Sequence, residues 1–483
     1  MRVLFGNLQT DQPDLLNGEL EEAENCIPYA QSYGPFYDAT PYSGSLSATC
    51  VGAVSTRDTT GNVFTFAGTP KQLYREASGT ISNVSRTATY TTADDGYWEF
   101  TTFGNTHLAV NGIDALQVYT LGTSSQFLDA SASASAPVAK HIATVRDFAV
   151  LGNLGTGANR TQWSRINNPL RYGPDARYQS DFQDLAGAEQ NIQRITGGDF
   201  GTILTDNSVW RMTYVGSPLV FRFDEVAPGI GCAAPGSVAR FQNLTFFLSH
   251  SGFYVFDGAS ATPIGQEQID DTFIADFNAS FRHRVSAIID TINKLYLISY
   301  PSVNSPSGTP DKMLAYGWQS RRWTKVSEEM FFLFNHITGG SDLDSITANV
   351  DTLAYSLDSP IWQGGLRGVG CVNTSNRIAR FEGDEKAARF TTGEGQLIAD
   401  SRAFIRNIRP LVQGTVGNIS ATVGQRDLLT NAVVWGSASN MNTTIGDCPV
   451  RSNARYHRFR IDVTGGFQRV MGIDIDFTRE GRR

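Results

Sequence analysis

The chain is short of cysteine and histidine and lacks long apolar runs and sustained helical periodicity, and each shortage removes a class of protein. Its five cysteines, Cys26, Cys50, Cys232, Cys371 and Cys448, are odd in number, scattered and never in a CxxC pair. That argues against a disulfide scaffold or a zinc site and leads to an expectation of buried free thiols in a reducing compartment. The six histidines (His107, His141, His250, His283, His336 and His457) never fall at metal-ligand spacing, and no HExxH, GxSxG, P-loop or EF-hand pattern occurs. The carboxylate pairs are Asp94-Asp95, Asp270-Asp271 and Asp342 with Asp344, and adjacency in a strand sends neighbouring side chains to opposite faces, which is poor evidence for a catalytic pair. The glycine-rich residues 152–157 precede no helix that would aim amides at a phosphate. The expectation is therefore no catalytic residue, no metal, no cofactor, and a protein that is not an enzyme. No run approaches the roughly 20 apolar residues of a membrane helix. The opening MRVLFGNLQTDQPDLLNG lacks the apolar core of a signal peptide, so neither a membrane segment nor a leader is expected.

What is present is β-structure. The 483 residues include 47 glycines, 29 phenylalanines and 17 tyrosines, with 41% hydrophobic residues, which suits many short strands and turns around a sizeable core. The clearest unit is residues 241–265, FQNLTFFLSHSGFYVFDGASATPIG, read as strand, tight turn, strand, turn, with Gly252 and Gly258 in the turns and His250 a turn residue. Looser versions begin at Val63, Leu108, Phe148, Thr202, Thr245 and Leu295, in steps of 45, 40, 54, 43 and 50 residues. Each is followed by a second strand carrying an aromatic: Tyr74, Tyr119, Trp163, Trp210, Tyr254 and Tyr316. A step of roughly 40–50 residues is the period of a four-stranded propeller blade. The expected architecture is all-β: a six-bladed β-propeller over residues 56–365, followed by a β-sandwich-like domain over 366–483. Residues 1–55 read as an irregular arm, with a brief helix over 15–24, that partly closes the propeller. Residues 349–357 are expected to help close the ring, and Gly364-Gly365 to form the hinge.

The net charge of −8 is unevenly spread: residues 366–483 carry 17 Lys+Arg against 11 Asp+Glu, and residues 1–365 carry 22 against 36. An acidic body argues against tight wrapping of nucleic acid. Arginine favours bidentate pairing at interfaces, so Arg402, Arg406, Arg409, Arg455, Arg458 and Arg460 are interface candidates. Arg171, Tyr172 and Tyr178 join them from the long aromatic excursion 167–184, read as a contact loop.

Three passages in order carry a family resemblance. They are Ala23-Glu24-Asn25-Cys26-Ile27-Pro28 with Tyr33-Gly34-Pro35-Phe36; Arg160-Thr161-Gln162-Trp163-Ser164 with Asn168-Pro169 and Tyr178-Gln179-Ser180, running into residues 195–214; and residues 249–258 with Pro263-Ile264-Gly265. In this the chain resembles the tail hub or nozzle proteins of short-tailed bacteriophages, the packaged-DNA stabilisation proteins. The resemblance implies a structural virion protein, assembled in the host bacterial cytoplasm, that forms a homohexameric ring in the tail. Such a ring lies below the portal and its adaptor ring, contacts a tail fibre, tailspike or needle protein, and helps retain the packaged genome until ejection. Double-stranded DNA would pass its channel without sequence-specific binding, which suits a body that is not basic. No large insertion builds a channel-closing tip, so the expectation is a hub with plugging left to another protein. The competing function is a receptor- or carbohydrate-binding tail propeller, with or without glycan hydrolysis, for which the aromatic residues 172–182 would supply stacking surfaces.

Overall fold

Short apolar runs closed by Gly, Asn and Asp turns fold here into antiparallel four-stranded meanders. A computed structural model of the chain describes residues 1–15, 17–187, 190–338 and 367–481. Six meanders follow in sequence, each running from a first strand to a fourth: Gly52–Arg57 to Thr80–Asn83, Glu99–Phe103 to Leu128–Asp129, Ala139–Val145 to Asp181–Asp184, Ile192–Thr196 to Val220–Pro228, Ala239–Phe241 to Ala261–Pro263, and Ser286–Asp290 to Arg322–Ser327. The six apolar triplets read from the sequence all lie on second strands, and their aromatic partners on third strands.

A seventh sheet corrects the expected count of six. It pairs Met330–Ile337, Arg367–Asn373 and Arg377–Glu385 with Tyr37–Ser45 as its outermost strand. The first strand Met330–Ile337 packs beside Gly52–Arg57 of the first blade, which closes the ring. The seventh blade escaped the repeat count because its first two strands are far apart in sequence, ending at Ile337 and starting at Arg367, and its fourth strand comes from the other end of the chain. For the same reason the boundary at 365/366 is misplaced: residues 367–385 belong to the propeller. Residues 349–357 and the Gly364-Gly365 hinge lie outside the described residues.

The N-terminal residues are not an irregular arm. Arg2–Leu4, Leu20–Glu24, Cys26–Tyr29 and Ser32–Pro35 are strands, and Leu20–Glu24 occupies part of the stretch expected to be helical. Tertiary pairing overrides local helix preference there: Leu20, Glu22, Ala23 and Glu24 pair with Thr392, Thr391, Phe390 and Arg389. Around these strands the C-terminal residues build two facing sheets. One contains Cys26–Tyr29, Ser32–Pro35, Phe467–Arg479, Ala403–Gly414 and Cys448–Ala454, with Arg2–Leu4 added beside Phe467–Arg479. The other runs Leu20–Glu24, Ala388–Thr392, Tyr456–Thr464, Asn418–Arg426 and Val434–Trp435. Alternation in the last strand works as its pattern requires: Ile473 and Ile475 are buried, while Asp474 and Asp476 face outward.

The sandwich and the propeller share one sheet. Glu24 pairs in parallel with Lys325 of the sixth blade, so nine strands run without a break from Ser286–Asp290 into the sandwich, and a tenth, Ser439–Asn440, pairs beside them on Asn418–Arg426. One apolar core spans the junction, joining Phe253, Tyr316 and Trp323 of the propeller to Phe5, Tyr33, Phe390 and Ile461. Trp323 is fully buried, donates its indole N–H to the Ile264 carbonyl at 2.9 Å, and packs against Phe253 and Tyr316 at centroid distances of 5.0 and 4.6 Å. All five cysteines are buried free thiols.

A short helix, Asp270–Asp276, sits beside the Gly252 turn. Gly252 has φ +127° and lies so close to the Asp270 carboxyl that a Cβ there would collide with it. Asp270 accepts the Phe253 N–H at 3.1 Å. Burial, reinforced by Asp11 and Asp271, raises its pKa to about 6 despite that hydrogen bond. A carboxyl that holds its proton more tightly when folded stabilises the fold at low pH and loses that contribution as pH rises from about 4 to about 6. Asp270→Asn keeps the acceptor and removes the buried charge. It is expected to stabilise the protein at pH 7 by on the order of 2 kcal/mol and to change little at pH 3.5. Urea unfolding at the two pH values measures this, and equal effects at both would contradict it.

Candidate functional site

First strands of consecutive blades line the propeller axis, so residues at matching positions on them meet there. Glu99 and His141 stand the same distance before the last paired residue of their hairpins, Phe103 and Val145. Arg194 follows on the first strand of the fourth blade. The Glu99 carboxylate contacts His141 Nδ1 at 2.9 Å and Arg194 Nη1 at 3.3 Å. Both Glu99 and His141 are almost wholly buried. The Ile142 N–H reaches the other Glu99 oxygen at 3.4 Å, and the Tyr97 hydroxyl lies 3.4 Å from His141 Nδ1.

The protonation states follow from this geometry. Burial drives the His141 pKa below its usual value against the pull of Glu99, with Arg194 and Lys140 pushing the same way as burial. The imidazole is neutral at neutral pH; Nδ1 carries the proton toward the carboxylate and Nε2 keeps its lone pair. Burial works against the Arg194 charge, but Glu99 and Tyr97 hold its pKa above the ordinary value. Burial also raises the Tyr97 phenol strongly. The cluster thus ties three blades together around the axis. The cavity beside it is lined by Tyr97, Lys140, His141, Arg282 and His283, groups that can bind and orient a ligand.

The other histidines are placed differently. His107 stacks on Phe66 and Phe100 and is depressed to about 3 by burial; His336, also depressed to about 3, contacts the Tyr42 hydroxyl at 2.7 Å. His457 is buried, and His250 is exposed in its hairpin turn. Among the described residues no group of three His, Cys, Asp or Glu is placed to hold a metal ion.

The arginines proposed for an interface are mostly committed within the chain. Arg458 is buried and pairs with Asp14 at 2.5 Å and with Glu21. Arg460 lies over the Trp435 ring at 4.1 Å and near Glu22 at 3.9 Å. Arg402 pairs with Asp427 at 2.9 Å, and Arg409 with Asp447 at 2.7 Å. Arg455 donates its backbone N–H to Asp427 at 3.1 Å. Arg406 alone of this group is exposed without an ion-pair partner among the described residues. Sequence reasoning missed Arg426, whose guanidinium reaches Glu394 at 2.5 Å and Asp14 at 3.0 Å. Together Arg426 and Arg458 clamp the N-terminal residues onto the sandwich. This role is invisible in sequence because 412 residues separate Arg426 from Asp14.

In the excursion 167–184, Tyr172 is buried with Leu108, Ile142 and Leu151, so it presents nothing to a partner. Arg171 donates to the Ser133 hydroxyl. Tyr178 is exposed, with the Arg165 guanidinium 4.3 Å from its ring centroid. The excursion is also not all loop, since Asp181–Asp184 is the outer strand of the third blade.

No family model and no curated protein matches the sequence. Among solved structures the chain is similar to the Neurospora crassa Pan2 WD40 domain, at 6% identity and TM-score 0.40 over 73% of this chain and 96% of that one. It is similar to YCF48 bound to D1 peptide at 11% identity and TM-score 0.38, covering 74% and 97%. It is also similar to the computationally designed Ika8 protein at 9% identity and TM-score 0.37, covering 71% and 99%. At that similarity the likenesses concern the fold alone, and the strand register establishes the propeller independently.

Proposed function

We propose that this chain is a structural virion protein, the tail hub or nozzle subunit of a short-tailed bacteriophage, working as a homohexameric ring that extends the DNA channel below portal and adaptor. The observation that carries the reading is the ten-stranded sheet welding propeller to sandwich. A ring subunit that must transmit force between a capsid vertex and a tail tip needs its two ends to move as one body, and a shared sheet with a shared core provides that coupling. The hairpin Cys26–Tyr29 with Ser32–Pro35, part of the passage that resembles this family, is bound into the sandwich through Tyr33, which pairs with Val470. The acidic balance of residues 1–365 and the internal pairing of most C-terminal arginines leave few cations free to hold phosphates.

A second reading, a receptor- or carbohydrate-binding tail propeller, draws on exposed Tyr178 and Phe182 beside Arg165 and Arg160. Oligomeric state separates the two, because receptor-binding tail proteins are trimers as a rule. Native mass measurement of the full chain is expected to give hexamers, alone or on addition of its adaptor ring; a stable trimer would overturn the hub reading.

A further inference from the structure

Connections from several blades converge at one end of the propeller axis around a cavity of about 170 Å³. We propose that this mouth binds a small oxyanion, a phosphate or carboxylate group, between Lys140, Arg282 and the imidazoles of His141 and His283. The proposal stands apart from the hub reading and does not depend on it.

The charges at the mouth are unbalanced. Lys140 and Arg282 both line it, and neither pairs with a carboxylate among the described residues. One carboxylate, Asp95, lines the cavity, acting on His283 without pairing with either cation. The adjacent Arg284 is committed elsewhere: it donates to the Ser307 carbonyl at 2.8 Å and lies over the Phe281 ring. Arg282 has no such side-chain partner among the described residues. Beneath the mouth the Glu99 charge is offset by Arg194, which contacts its carboxylate at 3.3 Å.

The donors are held in place by the fold. The Lys140 stem lies across Gly112, where a Cβ would come within 2.8 Å of Lys140 Cγ. That contact is possible because Gly112, with φ +82°, carries no side chain. His141 is fixed by its bond to Glu99, which leaves Nε2 as the nitrogen not committed to that carboxylate. The other polar side chains are used internally: Asn111 binds Asp114, Asn153 the Ile192 carbonyl, and Gln193 Asp206. Lys140 and Arg282 are thus the charged donors left to meet a ligand, with the two imidazoles beside them, and charge-assisted donors of this kind select oxyanions. A bound anion favours protonation of His141 and His283, which burial holds neutral. Binding therefore takes up protons and tightens as pH falls.

Calorimetric titration of the full chain with inorganic phosphate, and separately with acetate, tests this. At least one is expected to bind, with Lys140→Ala and Arg282→Ala each weakening it about tenfold. Arg406→Ala, which removes an exposed arginine of the sandwich, is expected to leave binding unchanged. Both substituted positions at the mouth are exposed, so thermal melts of the two variants should match the parent. Preference for phosphate identifies a tetrahedral ligand and preference for acetate a planar one; either supports the site. Absence of binding at about 50 mM of both anions, a concentration beyond weak millimolar affinity, would overturn the proposal. So would unchanged affinity in both mouth variants, or equal weakening by Arg406→Ala.

Discussion

Cut after residue 365, the chain is expected to lose its cooperative thermal transition. The cut removes Arg367–Asn373 and Arg377–Glu385, the two central strands of the seventh blade, and leaves Met330–Ile337 and Tyr37–Ser45 without partners. It also strips Leu20–Glu24 of Ala388–Thr392 and removes Phe390, against which Phe5 and Tyr33 pack at centroid distances of 5.4 and 5.3 Å. Losing one buried aromatic costs about 3–5 kcal/mol. A whole domain is held by only about 5–15 kcal/mol, so losses on this scale exceed what the fragment has. Two separable modules would instead leave a propeller melting close to the parent temperature. Circular dichroism and calorimetry of the fragment decide between them, and a parent-like melt would show that the shared core carries little stability.

Glu99→Ala is the single substitution expected to do most damage at the axis. It leaves buried His141 without its acceptor and the Arg194 charge without its carboxylate. Stranding one partner of a buried pair costs about 3–5 kcal/mol. The Arg194 side chain keeps 25% of its exposure, so water offsets part of this, and a loss of about 3 kcal/mol is the expected value. Adding Arg194→Met should recover part of the loss, since the stranded charge is then gone. Urea unfolding of the single and double variants at pH 7 measures both. A loss below about 1 kcal/mol for Glu99→Ala, the range of exposed pairs, would mean that solvent at the axis screens the cluster.

The candidate site was hidden from the sequence because its members are joined by repeat geometry and not by spacing. Glu99, His141 and Arg194 lie on first strands of three successive blades. The repeat shows in its second strands, where apolar triplets are plainest, and the first strands carry no comparable mark. Only aligning the hairpin ends at Phe103 and Val145 brings Glu99 and His141 to one level. The arginines misled for a related reason. Their strand alternation was legible, but the partners of Arg458 and Arg426, namely Asp14, Glu21 and Glu394, are close only after the N-terminal residues have been threaded through the sandwich.

The sequence by itself determined the all-β class, six of the seven blades, the alternation of the terminal strand and the buried thiols. Each of these depends on short-range patterning: period-two burial, aromatic strands and glycine turns leave their mark within a few residues. Tertiary structure decided the rest. It made the outermost strand of the seventh blade from Tyr37–Ser45, placed Leu20–Glu24 between the sixth blade and the sandwich, and brought a glutamate, a histidine and an arginine together on the axis. Those outcomes depend on pairing between distant segments, whose hydrogen bonds and ion pairs have no local signature in the chain.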